Sequence, residues 1–284
     1  MALALRRTTK LFMDKTFNRF LFLVYVFSLA GCDVSDPLSD YEARPVVEAY
    51  LTGGDTIHIL VTKEILLGSA DTIAETINGL TPVVRVDTEI ISLQNTGAGI
   101  YSAPAIIREE KEYNLEFEYA GQVIHATTTI PSKPKGFAMS VDELTISPIV
   151  FGGGFPGSRP TFPDPVKLTW INEDQTYYLS AFKNTEDSPE SIFDGQLVFG
   201  GRNRPPLFNQ PTRLSGAEIE TPRIQYYGYH DILLLHVQPE YAALYENNGS
   251  NSLNLAPPPT NIENGLGIFT GIASDTLRLL VKKP

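Results

Sequence analysis

The feature that most constrains the fold is an alternation of apolar and polar side chains with a period of two. It is clearest over residues 112–119 (EYNLEFEY), where aromatic or aliphatic side chains alternate with polar or acidic ones. This is the period of a β-strand with one buried and one solvated face. Gly121 follows as a turn, and residues 122–130 (QVIHATTTI) supply the return strand of a hairpin. Glycine (22 residues) and proline (21 residues) are abundant, which favours strands joined by many turns over a helical bundle.

Short predicted strands separated by turn signals continue on both sides of this hairpin. In the first part of the chain they are 46–51, 56–62, 83–86 and 89–93. In the second part they are 137–150, 166–170, 177–182, 232–237 and 276–281, and one short helix is predicted at 239–247. The run 232–237 (ILLLHV) is continuously apolar, which indicates a strand buried on both faces.

Turn-forming residues divide the chain into two units at residues 131–136 (PSKPKG). Two prolines and a glycine within six residues cannot continue a central strand. We therefore predict an immunoglobulin-like antiparallel β-sandwich at residues 44–132, followed by a second β-rich domain with one short helix at residues 133–284. Because the chain has a single cysteine, the stability of the sandwich must come from packing between its sheets and not from a disulfide.

The N-terminal 31 residues have the pattern of an export signal. Five basic side chains precede a short apolar stretch at residues 20–29 (FLFLVYVFSL). At about ten residues, this stretch is shorter than the roughly 20 that span a bilayer. It ends in the residues LAGC, which resemble the lipobox of bacterial lipoproteins, where the cysteine, here Cys32, is acylated and becomes the first residue of the mature chain. An acidic tether follows at residues 32–43. Translation starts at Met1 or, alternatively, at Met13. The alternative interpretation of the apolar stretch is a membrane-anchoring helix followed by a free cysteine.

The formal net charge of −11 excludes functions that depend on a basic surface. Removal of residues 1–31, which hold five bases and one acid, lowers the net charge to −15. Nucleic-acid binding requires a basic face that displaces counterions, so no nucleic-acid partner is expected. Anionic lipid repels so acidic a surface, and the membrane is therefore expected to be a partner only through the lipid on Cys32.

Three segments together resemble a known family. They are residues 44–51 (RPVVEAYL), the hairpin pattern around 113–117 that ends at 126–131, and residues 261–269 (NIENGLGIF), the most specific of the three. With the lipobox, they resemble the Bacteroidota lipoprotein family named domain of unknown function 4249 (DUF4249) over almost the whole mature chain. The resemblance implies an outer-membrane lipoprotein, often encoded beside a TonB-dependent transporter, and supplies no catalytic residues. The loop 66–79 shows no clear family pattern.

The sequence contains no recognisable signature of catalysis or metal binding. Its four histidines have neither the H-x-H nor the H-E-x-x-H spacing of a zinc site, and no G-x-S-x-G nucleophile motif occurs. A lipid-bearing Cys32 cannot act as a nucleophile. We therefore expect no metal, no cofactor and no enzymatic activity. Adjacent carboxylates at 109–110, 173–174 and 186–187 leave a carboxylate-dependent enzyme as a remote alternative.

Two groups of aromatic residues are candidates for binding. Tyr226, Tyr227 and Tyr229 lie together just before the apolar run, and Trp170 with residues 177–178 forms a second group. Exposed aromatic rings can stack on sugars or anchor a protein partner at little entropic cost. The tyrosine trio is the predicted ligand- or partner-binding site, because its glycine indicates that part of it forms a rim. Packing within the core is the competing interpretation for both groups, and it is the preferred one for Trp170.

These features predict a non-enzymatic outer-membrane lipoprotein on the cell surface, acting as an accessory subunit of a TonB-dependent nutrient-uptake system. Its expected partners are the membrane, through the lipid on Cys32, and a TonB-dependent transporter. The periplasmic face of the same membrane is the alternative location. An independent surface glycan- or peptide-binding lipoprotein is the alternative function.

Overall fold

The computed structural model describes residues 42–66, 72–150, 162–194, 207–246 and 258–284. Within these ranges the chain forms nineteen strands, one short α-helix and a 3-10 turn at Thr221–Arg223. This confirms the predicted fold class, which is mostly β with a sandwich arrangement of sheets.

The strands of the first half follow the predicted alternation. They are β1 (Pro45–Thr52), β2 (Thr56–Lys63), β3 (Val83–Val86), β4 (Glu89–Ser92), β5 (Gln94–Gly97), β6 (Ile100–Ile106), β7 (Glu112–Tyr119) and β8 (Gln122–Thr129). In β1 the alternation buries Val47, Ala49 and Leu51 and turns Glu48 and Tyr50 outward. The prediction has no counterpart of β5 and β6, because the polar and glycine-containing segment before β6 carries no apolar alternation.

The strands of the second half vary more in length, from two residues to seventeen. They are β9 (Lys135–Met139), β10 (Glu143–Thr145), β11 (Ile149–Val150), β12 (Val166–Ile171), β13 (Tyr177–Asn184), β14 (Phe193–Asp194), β15 (Leu207–Phe208), β16 (Gly216–Ile219), β17 (Gly228–Val237), β18 (Ile262–Glu263) and β19 (Leu266–Lys282). The helix α1 (Pro239–Ala243) starts at the predicted proline but is shorter than predicted. The segment predicted as one strand at 137–150 is divided into three, since bends at Ser140 and Asp142 and the missing N–H of Pro148 interrupt pairing.

The largest sheet has nine strands. Its order is β15-β13-β17-β19-β1-β2-β6-β5, and β10 pairs with β19 outside this path. A five-stranded sheet, β18-β8-β7-β3-β4, shares a hydrophobic core with β1, β2 and β6. These two layers form the sandwich, and the smaller sheets β16-β12-β9 and β11-β14 belong to the second half.

The seventeen-residue strand β19 connects the two parts of the nine-stranded sheet. It pairs in parallel with β1 from Leu266 to Ile272 and antiparallel with β17 from Ile272 to Val281. The prediction covers only residues 276–281 of it. The first part carries no alternation, because residues 268–271 are buried on both faces and include a glycine and a threonine.

The first hydrophobic core lies between the two layers of the sandwich. It contains the fully buried rings of Tyr101 and Tyr113 and, from the end of the chain, Ile262 and Phe269. The division into domains at 44–132 and 133–284 stays a prediction. In the structure, the segment that contains β18 and the start of β19 packs with the first half of the chain.

The second hydrophobic core lies beside β12, β13, β17 and the last part of β19. In β17, Ile232 and Leu234 are fully buried, whereas Leu233 and Leu235 are half-buried. The predicted burial of this strand on both faces is therefore complete on one face and partial on the other.

Candidate functional site

The predicted tyrosine trio does not form one exposed surface. Tyr226 and Tyr227 are 8% and 6% exposed, whereas Tyr229 is 44% exposed. The Tyr227 hydroxyl donates a hydrogen bond to the backbone oxygen of Ile146 at 2.9 Å, and burial raises the pKa of this phenol. Tyr226 and Tyr227 are part of the packed interior, which corrects the prediction that their rings contact a ligand. Tyr229 alone of the three is accessible.

Tyr229 lies on the solvent side of β17, where another side chain already covers its ring. Alternation along the strand places Tyr229 and Asp231 on the face opposite to the buried His230. Arg278 of the neighbouring β19 lies over the ring, with its Cζ 4.9 Å from the ring centroid. Its Nε is 3.7 Å from a carboxylate oxygen of Asp231. A ligand would have to displace this guanidinium before it could stack on Tyr229.

The second predicted aromatic group is a packing cluster. Trp170 and Tyr178 are both buried, with ring centroids 5.6 Å apart. Tyr178 also stacks on His236, with centroids 4.6 Å apart and an interplanar angle of 15°. Tyr177 is half-buried, and the Cζ of Arg213 lies 4.4 Å from its ring centroid. The packing interpretation is therefore confirmed for Trp170 and Tyr178.

The histidines take part in local polar contacts. The partners are the Thr56 hydroxyl for His58 (2.7 Å), a Glu263 carboxylate oxygen for His125 (3.9 Å), the Gly228 carbonyl for His230 (3.2 Å) and the Ser132 carbonyl for His236 (2.9 Å). In the ranges that the structure describes, no three His, Cys, Asp or Glu side chains come together as metal ligands could.

Two of the predicted carboxylate pairs contribute acceptors for backbone groups. A carboxylate oxygen of Glu186 accepts the N–H of Tyr229 at 2.8 Å, and one of Glu109 accepts the N–H of Lys133 at 3.4 Å. Both carboxylates thereby hold a neighbouring segment in place.

The predicted lipidation site lies outside the described residues. Cys32, the signal at 1–31 and residues 32–41 of the tether all precede the first described residue, Glu42. Among the helices that the structure describes, none is long and apolar enough to cross a membrane.

A shallow cavity of about 380 Å³ lies at the start of the folded body. Its lining residues are Ala43, Lys63, Glu64, Ile65, Leu66, Ile73 and Glu75. Lys63 Nζ is 2.8 Å from a carboxylate oxygen of Glu75, and Glu64 pairs with Arg44 at the same distance. The charged side chains of this cavity are thus engaged in ion pairs with one another and with Arg44.

A different group of tyrosines, absent from the predicted site, forms an exposed ring cluster. This Tyr50 cluster consists of Tyr50 on β1, Tyr241 on α1 and Tyr245 in the turn after α1. The ring centroids of Tyr50 and Tyr241 are 6.1 Å apart at 79°, and those of Tyr241 and Tyr245 are 5.7 Å apart at 42°. Tyr50 is 51% exposed and Tyr245 is 37% exposed. Burial raises the pKa of the Tyr50 and Tyr241 phenols, so both are neutral at physiological pH.

Two local signals point to the members of this cluster. Tyr50 occupies an outward position in β1, between the buried Ala49 and Leu51. Tyr241 and Tyr245 are four residues apart, which places them on one side of a helical turn. The contact between the two groups depends on the docking of α1 against the first half of the chain, and no local pattern reveals it.

Glu240 fixes α1 in this position. One of its carboxylate oxygens accepts hydrogen bonds from the hydroxyls of Thr128 at 2.7 Å and Thr270 at 3.1 Å. Both threonines are buried. The amide of Gln238 adds a hydrogen bond to the backbone oxygen of Thr129 at 2.7 Å. A five-residue helix has little stability of its own, so these bonds hold the tyrosine rings of α1 in place.

The segment 261–269 builds the start of β19. The Asn261 side chain accepts the N–H of Phe269 at 3.0 Å and donates to its carbonyl oxygen at 2.7 Å. Asn264 has a φ of +57°, and Gly267 has a φ of +97°. The chain turns at Asn264 and Gly265, and Gly267 already lies in β19. A Cβ at Gly267 would lie 2.0 Å from the backbone oxygen of Val47. These residues serve the junction between β19 and β1.

Comparison with known sequences assigns the chain to a family. No curated protein matches it. Residues 33–278 match the family described as domain of unknown function (DUF4249). The match includes all strands from β1 to β18, most of β19 and the whole of the 261–269 segment. The chain therefore belongs to the DUF4249 family.

Proposed function

We propose that the chain is a non-enzymatic outer-membrane lipoprotein and an accessory subunit of a TonB-dependent nutrient-uptake system. The observation that carries the proposal is the position of the single cysteine. Cys32 follows Leu29-Ala30-Gly31 at the end of a short apolar stretch with a basic segment before it. The matched family segment begins at the next residue, Asp33, which supports processing at this point.

The charge of the chain supports attachment through lipid alone. Without residues 1–31 the net charge is −15, and anionic lipid headgroups repel such a body. Each buried methylene of an acyl chain contributes about 0.8 kcal/mol, so more than one chain is needed for stable anchoring. The lipobox resemblance implies three chains on Cys32, which meets this requirement.

An exposed edge of the nine-stranded sheet is the surface that we propose for contact with the transporter. Among the described strands, β15 ends the order of this sheet. Phe208 in β15 is 44% exposed, and Leu214, a few residues further on, is 70% exposed. The N–H of Asn209 donates to the backbone oxygen of Ser180 at 2.8 Å, which holds this segment against β13. Exposed apolar side chains at a sheet edge favour association with another protein.

Affinity purification from native membranes in mild detergent tests the proposal. We expect the wild-type lipoprotein to recover a β-barrel transporter in comparable amounts. Phe208→Asp should abolish this recovery, because it places a charge at the apolar contact. Ile90→Asp is the matched control, since Ile90 is 64% exposed on β4 of the other half, and it should recover the transporter like the wild type. Recovery of the wild-type protein alone would refute the proposal.

Protease treatment of intact cells tests the proposed location. A body on the cell surface is digested without permeabilisation of the outer membrane, whereas a body on the periplasmic face is protected until the membrane is opened. We expect digestion on intact cells, with a periplasmic marker protein left intact as the control.

A second candidate function is an independent surface lipoprotein that binds a glycan or a peptide. The exposed rings of the Tyr50 cluster favour this candidate, because aromatic side chains supply rigid contact area. The two functions differ in their need for a transporter. Ligand capture by cells that lack every co-purifying transporter would favour the independent function.

A further inference from the structure

Uncovered ring faces distinguish the Tyr50 cluster from the other accessible tyrosines. Arginine side chains lie over the rings of Tyr177 and Tyr229. Within the described ranges, none of the cation–ring contacts involves Tyr50, Tyr241 or Tyr245. The exposed faces of Tyr50 and Tyr245 are therefore apolar surfaces on which a ligand can stack without first displacing a charged side chain.

The arrangement of the rings selects the shape of the ligand. Centroid separations of 5.7 and 6.1 Å are contact distances for tilted and edge-to-face pairs. The rings pack against one another, so a ligand cannot lie between them. A cage for a quaternary ammonium ion requires rings that surround the cation. This arrangement instead forms an open platform, which suits a ligand with an apolar face of its own, such as a pyranose ring.

The polar groups around the platform select the chemistry of the ligand. Glu48 is exposed and lies on the same outward face of β1 as Tyr50, and its charge contributes to the raised pKa of that tyrosine. A carboxylate in this position repels phosphates, sulfates and uronic acids but accepts hydrogen bonds from sugar hydroxyls. The hydroxyls of Tyr241 and Tyr245, whose oxygens are 3.3 Å apart, can also donate to or accept from a polar ligand.

The platform is already in place before a ligand arrives. Tyr50 belongs to β1, which lies between β19 and β2 in the middle of the nine-stranded sheet. The ring of Tyr241 is positioned by α1, which the bonds from Glu240 to Thr128 and Thr270 hold against the first half. Pre-ordered side chains lose little conformational entropy on binding, which favours affinity from a small contact area.

From these observations we infer that the Tyr50 cluster is a stacking site for neutral saccharides. Separate sugar units of one oligomer lie on the faces of Tyr50 and of Tyr245, and their hydroxyls bond to Glu48 and to the phenols. The site is separate from the sheet edge at 207–214 and does not depend on the lipid anchor, so it can be tested whether or not a transporter is found.

Isothermal titration calorimetry of the full mature chain, in detergent, tests this inference. The probes are neutral glucose oligomers with α- and β-linkages, such as maltoheptaose and cellohexaose, and an oligouronate serves as the anionic comparison. We expect at least one neutral oligomer to bind and the oligouronate not to bind. Tyr50→Ala and Tyr245→Ala should each weaken binding about tenfold, on the scale of a stacking contact.

Matched variants separate the contribution of the tyrosine ring to binding from other effects of the substitutions. Tyr50→Phe keeps the ring and should bind within about twofold of the wild type, because stacking supplies most of the affinity. Ile90→Ala removes an exposed apolar side chain of β4, outside the Tyr50 cluster, and should leave the affinity unchanged. Circular dichroism verifies that each variant is folded, as expected for an exposed position. Failure of all neutral oligomers to bind, equal affinity of Tyr50→Ala and wild type, or binding only of the oligouronate would each overturn the inference.

Discussion

Replacement of Gly267 by alanine tests how strand β19 is joined to β1. Gly267 has a φ of +97°, and a Cβ built there would lie 2.0 Å from the backbone oxygen of Val47 and 2.9 Å from its nitrogen. Gly267 and Val47 are partners in the parallel ladder, and Val47 is fully buried. Since real Cβ contacts are essentially never shorter than 3.0 Å, the two backbones must move apart by about 1 Å.

The expected loss of stability has two sources. A non-glycine residue in a left-handed conformation costs roughly 1–2 kcal/mol. Forcing extra volume into a well-packed interior costs typically 1–3 kcal/mol. We therefore expect Gly267→Ala to lower the free energy of unfolding by about 2–5 kcal/mol, a large fraction of the 5–15 kcal/mol that is typical of a domain.

Two other glycines isolate these contributions. Gly121 has a φ of +73° but no atom within 4 Å of its added Cβ, so Gly121→Ala measures the conformational cost alone. Gly271 has no positive φ, but its Cβ would lie 2.3 Å from the backbone oxygen of Thr129, so Gly271→Ala measures the steric cost. Urea denaturation followed by circular dichroism should find Gly267→Ala the least stable of the three. If it were no less stable than Gly121→Ala, the close approach of β19 and β1 would be wrong.

Three further predictions concern polar groups. Asn261→Ala should lose about 2 kcal/mol in urea denaturation, because two hydrogen bonds to the backbone of Phe269 are removed, and Asn261→Asp should lose at least as much, because it turns a carboxylate oxygen toward the Phe269 carbonyl. Glu240→Ala should lose about 1–3 kcal/mol by leaving two buried hydroxyls without their acceptor, while the exposed control Glu246→Ala stays near the wild type. Burial lowers the pKa of His236, so the folded state binds fewer protons than the unfolded state and stability should fall as the pH drops below about 6.5. His236→Asn should make that decrease shallower in denaturation curves measured at several pH values, and an unchanged slope would contradict the assignment.

Much of the strand content could be predicted because one face of most strands is solvated. The alternation in β1, β2 and β7 gives their positions directly, since buried and exposed side chains differ in polarity. The start of β19 was not predictable in this way, because residues 268–271 are buried on both faces and glycine at 267 and 271 is required by the close approach of another backbone. At Ile272, the pairing partner of β19 changes from β1 to β17. This change depends on the arrangement of the whole sheet, so no pattern in the sequence near Ile272 reveals it.

The candidate site was harder to predict, because it depends on contacts between segments that are distant in sequence. Tyr226, Tyr227 and Tyr229 are neighbours in sequence, but the chain turns the first two inward and only Tyr229 outward. Tyr50 and Tyr241 are far apart in sequence and meet because Glu240 binds Thr128 and Thr270 across the two halves. Sequence proximity therefore suggested one cluster, and tertiary contacts produced another.

The residues that carry the family resemblance are explained by the fold. Asn261 and Gly267 act on the backbone of β19 and on its approach to β1, and Phe269 is fully buried in the first core. In this chain, the segment therefore serves the fold. Differences in ligand or partner are expected instead at exposed positions, such as those of the Tyr50 cluster and of the sheet edge at 207–214.

The proposed function depends on the proposed lipidation of Cys32, and mass spectrometry of the protein isolated from membranes tests this modification most directly. We expect an N-terminal peptide that begins at Cys32 and carries acyl chains on its sulfur and amino group, and we expect Cys32→Ser to remain unprocessed and to lack the lipid mass. An N-terminal peptide that continues upstream of Cys32, with an unmodified thiol, would contradict lipid anchoring at this residue.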